Sequence, residues 1–120
     1  MSLAHESYVV AEDGTELYLR VSAGPAEAAE RPTIILADGI ACDGFVWKYL
    51  YESLAARHRV AHFNYRGHGR SRSPADPARL SVPDHARDLG AVREALGGGD
   101  VVLMGHSMGC QVVLEHHRQQ

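Results

Sequence analysis

Cysteine is scarce in this chain: two residues, Cys42 and Cys110, in 120. Neither belongs to a Cys-x-x-Cys pair, so a disulfide framework is excluded and both read as reduced thiols of a cytoplasmic protein. An excess of one charge is also missing. Twelve Lys and Arg stand against 15 Asp and Glu, for a formal charge of −3. That balance leaves no electrostatic footprint for nucleic acid and no polybasic membrane anchor. No apolar run approaches the roughly 20 residues that span a bilayer. The opening from Met1 to Ser7 lacks the basic and apolar regions of a secretory leader. No repeat or low-complexity tract is evident. What is present is ordinary for a soluble globule, 45% apolar and 22% charged residues, which excludes disorder of the whole chain. The length suits one domain or part of one. Eight histidines are more than usual, but they are scattered without metal-ligand spacing. They are expected on surfaces and loops, with no metal and no cofactor.

Tyr8 to Val21 reads as a hairpin turning at Asp13-Gly14, because an Asp-Gly between extended runs is a strong hairpin signal. Residues 22–32 read as a surface loop. Thr33 to Ala37 is a continuous apolar run of the kind buried on both faces of a parallel sheet. Trp47, Leu50, Tyr51 and Leu54 then fall at helical spacing. Arg59 to Asn64 is a second strand candidate, followed by a loop over 65–80. Ser81 with Asp84 three residues on forms a capping box, opening a helix along which His85, Leu89, Val92 and Leu96 fall at helical spacing. Gly97-Gly98-Gly99 ends it. Asp100 to Met104 is expected as a third buried strand, and a last helix runs from Cys110 to about His117. Strands alternating with helices imply an α/β fold: a mostly parallel sheet with right-handed crossovers and helices on both faces.

Gly105-His106-Ser107-Met108-Gly109 matches Gly-x-Ser-x-Gly. The pentapeptide alone is weak, since glycine and serine are common. Its position directly between a strand and a helix makes it informative. A serine that must leave a strand and enter a helix within one residue sits on a strained turn that thrusts its hydroxyl outward. Side chains at Gly105 and Gly109 would collide with the neighbouring backbone. The turn also puts the Met108 N–H at a helix N-terminus, where a developing negative charge is stabilised. The competing reading is a glycine-rich turn with an incidental serine.

With these motifs in order, the chain resembles the α/β-hydrolase superfamily over nearly its whole length. The Asp13-Gly14-Thr15 hairpin looks like that family's first two strands. Ile34 to Gly39 looks like its third strand and oxyanion loop. Asn64-Tyr65-Arg66-Gly67-His68-Gly69-Arg70-Ser71 looks like the loop after its fourth strand. Val101 to Gly109 looks like the fifth strand and nucleophile elbow. The resemblance implies a serine hydrolase acting on an ester, thioester, lactone or amide through an acyl-enzyme, a small-molecule substrate, and these roles. Ser107 is the nucleophile. The Met108 and Ile40 N–H groups form the oxyanion hole, and Gly39 lets backbone approach the substrate. Arg66, Gly67, His68 and Gly69 brace the neighbouring loop. A serine rather than an aspartate argues against the haloalkane dehalogenase and epoxide hydrolase branches. Asp38 stands where the family often has histidine, and a carboxylate there opposes an oxyanion unless it is turned away or paired.

The family's chain order is serine, acid, histidine. His116 lies roughly 14 Å along the helix that Ser107 starts, out of reach of its hydroxyl. The earlier histidines, His5, His58, His62, His68 and His85, precede the serine, and a side chain at His106 points away from it. No base is therefore assigned. Residues 1–120 are expected to be the amino-terminal portion of one α/β-hydrolase domain, without cap and carboxyl-terminal strands and inactive alone. Self-association through the uncovered edge of the last strand is expected. The alternative is a non-catalytic ligand-binding or signalling member of the fold, or an interaction module. A nucleotide-binding reading of Gly97-Gly98-Gly99 fails on position, because phosphate loops follow a strand and open a helix.

Overall fold

The computed structural model describes residues 4–120. The Met1-Ser2-Leu3 part of the stretch read for a leader lies outside them. Strands β1 (Ala4–Val10) and β2 (Glu16–Ser22) pair antiparallel around the expected turn. Gly14 takes φ +89°, a left-handed conformation that L side chains resist. The Ala11 N–H bonds the Thr15 carbonyl at 2.8 Å to close the turn.

Three further strands follow: β3 (Thr33–Ala37), β4 (Val60–Phe63) and β5 (Val101–Gly105). The sheet order is β1-β2-β4-β3-β5. β2 pairs antiparallel with β4, and β3 lies parallel between β4 and β5. The helices are α1 (Tyr51–Ala55), α2 (Val82–Ala95) and α3 (Met108–Gln119). From β3 the chain moves one way along the sheet to β4, then returns past β3 to β5. With a fixed crossover hand, that reversal puts successive helices on opposite faces. The packing agrees. Ile34, Leu36 and Val60 pack with Trp47 and Ala55 on one face. Ile35, Ala37, Ala61 and Phe63 pack with Leu89, Val92 and Val112 on the other. The connections leaving β3 and β5 therefore diverge to opposite faces from adjacent strands. Such a point opens a crevice at the carboxyl ends of the strands, where ligands of open α/β sheets bind.

Three expectations need correction. The segment around Trp47–Leu54 is a 3-10 turn, Phe45–Trp47, then the short α1, and Leu50 is exposed. The Leu50 N–H bonds the Trp47 carbonyl, a three-residue step that breaks the α-helical period. β5 is not buried on both faces: it pairs only with β3 among the described residues, and Val102 is 43% exposed. The histidines are not all superficial, because His62, His85 and His116 are buried. Loop 22–32 also contains a 3-10 turn, Ala26–Glu30. The Ser81–Asp84 capping box forms as expected.

Candidate active site

The crevice is built by the ends of β3 and β5. β5 stops at Gly105 and α3 starts at Met108, so His106 and Ser107 make the whole turn. Ser107 adopts φ 56°, ψ −119°, and apart from Ala41 it is the sole non-glycine residue at positive φ among the described residues. A side chain held there stores about 1–3 kcal/mol of strain, and such strain concentrates at functional sites. The residue is exposed. The flanking glycines are required by contact. A β-carbon at Gly105 would lie 2.6 Å from the Gly109 carbonyl carbon, and one at Gly109 would strike the Ala37 carbonyl. The elbow is thus pressed onto the end of β3.

Gly39 completes the contact from the other strand. A β-carbon there would lie 3.4 Å from Ser107 Cβ and from His106 Nδ1, and 3.5 Å from the Cys42 Sγ. Its bare face is the side turned to the elbow. The Cys42 N–H bonds the Gly39 carbonyl at 3.3 Å, curling the loop, and Ile40 projects its side chain into solvent at 67% exposure. Among the described residues, the backbone N–H groups of Ile40 and Met108 donate to no carbonyl. Two unengaged donors thus belong to the two segments that meet at Ser107. One opens α3, where the helix dipole adds positive potential.

Asp38 does not face this crevice. It continues the Ile34–Leu36 side of β3 onto the Trp47 face, is 1% exposed, and its carboxylate accepts Trp47 Nε1–H at 2.6 Å and His62 Nε2–H at 2.8 Å. Its carbonyl accepts the Tyr65 hydroxyl at 2.7 Å. The condition under which an acid is compatible with an oxyanion site, that it be turned away and paired, is met.

Arg66 is a brace. Its buried guanidinium grips Asp88 of α2 with Nε at 2.7 Å and a second nitrogen at 2.9 Å, and grips Asp13 of the hairpin turn at 2.8 and 3.1 Å. The Arg66 hydrogen bond holds the Asp13 carboxyl well below the usual carboxylate range, while Asp88, then Asp13, raise the guanidinium. Asn64 is fully buried: its amide nitrogen donates to Asp43 and its amide oxygen accepts the Arg70 N–H. His68 and His85 stack around Tyr65 with ring centroids 5.6 and 4.6 Å away. Burial, then the charge of His68, pushes His85 down to about 4. His116 packs on Gly90 of α2 rather than at the elbow. Among the described residues no side chain hydrogen-bonds the Ser107 hydroxyl, and no group of His, Cys, Asp and Glu side chains could hold a metal ion. A cleft of about 690 Å³ lies elsewhere, between the hairpin turn and α2, lined by Asp13, Arg66, Asp88, Arg93 and His116.

The partners of Asp38 are not evident from its sequence neighbours. Two signals could have found them. His62 falls on the parity of Val60 in a buried strand, so it needs a partner inside, and Trp47 is the only tryptophan of the chain.

A mixed α/β sheet with a strained, exposed serine between a strand and a helix at the switch point defines the class, a doubly wound α/β protein. The chain belongs to the alpha/beta hydrolase fold family, whose model matches residues 32–115. It is 35% identical over 94 residues to a Caulobacter protein named "Putative carbamate hydrolase RutD", covering 78% of this chain and 34% of that protein. It is 30% identical over 106 residues to an epoxide hydrolase of Caballeronia sordidicola, covering 87% of this chain and 30% of that one. An alpha/beta hydrolase from Novosphingobium aromaticivorans superimposes with a TM-score of 0.88 at 24% identity, covering 100% of this chain and 41% of that structure. The chain spans about a third of the length of these curated relatives. Its relatives include proteins named as hydrolases. No helix among the described residues is long and apolar enough to cross a membrane.

Proposed function

We propose that the chain is the nucleophile-bearing portion of a serine hydrolase that cleaves an ester, thioester, lactone or amide through an acyl-enzyme. The observation that carries this is Ser107 itself: positive φ, an exposed residue, strand before and helix after. In this reading the Ser107 oxygen attacks the substrate carbonyl carbon. The carbonyl π pair moves onto oxygen, and the Met108 and Ile40 N–H groups receive that charge. The C=O re-forms as the C–O, C–S or C–N bond breaks, and the alcohol, thiol or amine takes the proton lost by Ser107; water then adds to the acyl carbon, gives a proton back to the serine oxygen, and the carboxylic acid is released. Gly39 keeps the site open on its β3 side.

A serine hydroxyl is a poor nucleophile near neutral pH without a base. The reading therefore assigns the acid and histidine to sequence outside residues 1–120 and gives this chain negligible turnover alone. Two copies associating through the outer edge of β5 belong to the same reading, supported by the partly exposed Val102.

The test is hydrolysis of small activated esters and thioesters by a protein of the relatives' full length. Turnover that disappears in Ser107→Ala is expected. One observation favours a non-catalytic binding role instead, the lack of a hydrogen bond on the Ser107 hydroxyl among the described residues. A folded full-length protein without turnover on any of these substrates would establish that alternative.

A further inference from the structure

The buried polar cluster behind the crevice has a geometry that packing alone does not require. Asp38 and Trp47 stand at the two ends of the loop that carries Gly39 and Ile40, and the Asp38 carboxylate joins them at 2.6 Å. The same carboxylate ties the loop to β4 through His62 at 2.8 Å. The loop then folds over the His62 ring. Gly44, at φ +80°, lies so close that a β-carbon there would be 2.8 Å from His62 Cε1. Midway, Asp43 accepts the Asn64 amide at 2.8 Å. Within this closed loop Ala41 is held at φ 57°. A buried carboxylate is costly unless its lone pairs are used, and here two ring N–H groups use them. Hydrophobic residues of similar volume would fill the Trp47 face without that cost.

We propose that Asp38, His62 and Trp47 are positioning residues: a buried clasp that closes the loop after β3 and sets the Gly39 and Ile40 backbone against Ser107. The proposal deepens the hydrolase reading and rests on it for its consequence in chemistry. Its structural content, that the donors to Asp38 fix the loop, stands apart from that reading. His62→Leu removes one donor and leaves the carboxylate half-paired. Trp47→Phe removes the other while keeping an aromatic ring. His62→Gln keeps an N–H able to reach Asp38.

The experiment has two readouts. The first is the backbone amide spectrum of the 120-residue chain. In His62→Leu and Trp47→Phe the Gly39 and Ile40 amide resonances move while those of β1 and β2 stay, and His62→Gln restores them toward wild type. Gly39 and Ile40 amides unmoved in both folded variants would overturn the clasp whatever the chemistry. A variant that fails to fold leaves the decision to the other, and Gly44→Ala, which pushes the loop off His62, supplies a third. The second readout is the rate of Ser107 phosphonylation by a fluorophosphonate in the full-length protein. His62→Leu is expected to slow it at least about tenfold, since misplacing an oxyanion donor is costly, with recovery in His62→Gln. Equal rates in wild type and variants would overturn the positioning role and leave the serine hydrolase reading intact. No reaction of folded wild type would overturn the hydrolase reading, with the amide spectra still deciding the clasp.

Discussion

At Ser107 a polar side chain is held where only glycine is comfortable, at φ 56°. The strain has a measurable counterpart. Ser107→Gly removes the β-carbon and is expected to raise stability by about 1 kcal/mol in urea unfolding, the relief of strain exceeding the added backbone entropy. A loss of stability would mean that the turn is relaxed. The same substitution removes the hydroxyl, so stability and chemistry oppose each other at one residue. This elbow is legible in the sequence because its constraint is local: two glycines and a serine between an apolar run and a helix. Asp38 is not legible in the same way. Its partners, Trp47 and His62, are nine and 24 residues away, and only their meeting across the sheet reveals that the acid is turned from the crevice. Nothing in the residue type separates an inward carboxylate from an outward one.

Among the elements, the strands and α2 are where the pattern puts them, since period, capping box and glycine stop are all short-range. The segment before α1 departs from its apolar spacing because the Asp38 bond fixes Trp47 and the chain tightens there. α2 carries a pH response. Its His85 is buried against Tyr65 and His68, with Arg66 and Asp84 also acting on it. Burial pushes the folded imidazole down to about 4, against the 6.5 usual for a solvated histidine in the unfolded chain. Between those values the unfolded chain binds more protons. Stability from this residue is therefore full above 6.5 and is lost as pH falls toward 4. His116 on α3, lowered by burial, acts in the same direction. Urea midpoints between pH 7 and 4.5 are expected to fall, and His85→Gln is expected to flatten that slope. An unchanged slope in the variant would remove His85 from the account.

For the whole molecule, one guanidinium joins the hairpin turn to α2 across the sheet. The loop motif marks Arg66 as a brace, but its two acids are 53 residues before it and 22 after, and that tie appears only in the fold. Removing it leaves Asp88 buried without its partner. Arg66→Met is expected to cost about 3–5 kcal/mol in chemical unfolding, with much of it recovered by Arg66→Met combined with Asp88→Leu. A single variant within about 1 kcal/mol of wild type would contradict the brace. The sheet, the switch point and the strained turn converge on the hydroxyl of Ser107, and its reactivity is the central claim. The most direct measurement is mass-spectrometric mapping of the adduct formed by a fluorophosphonate on the full-length protein. One adduct is expected, on the peptide containing Ser107, absent after heat denaturation and absent in Ser107→Ala. A folded protein that forms no adduct, or forms it on other serines while Ser107 stays unmodified, would contradict it.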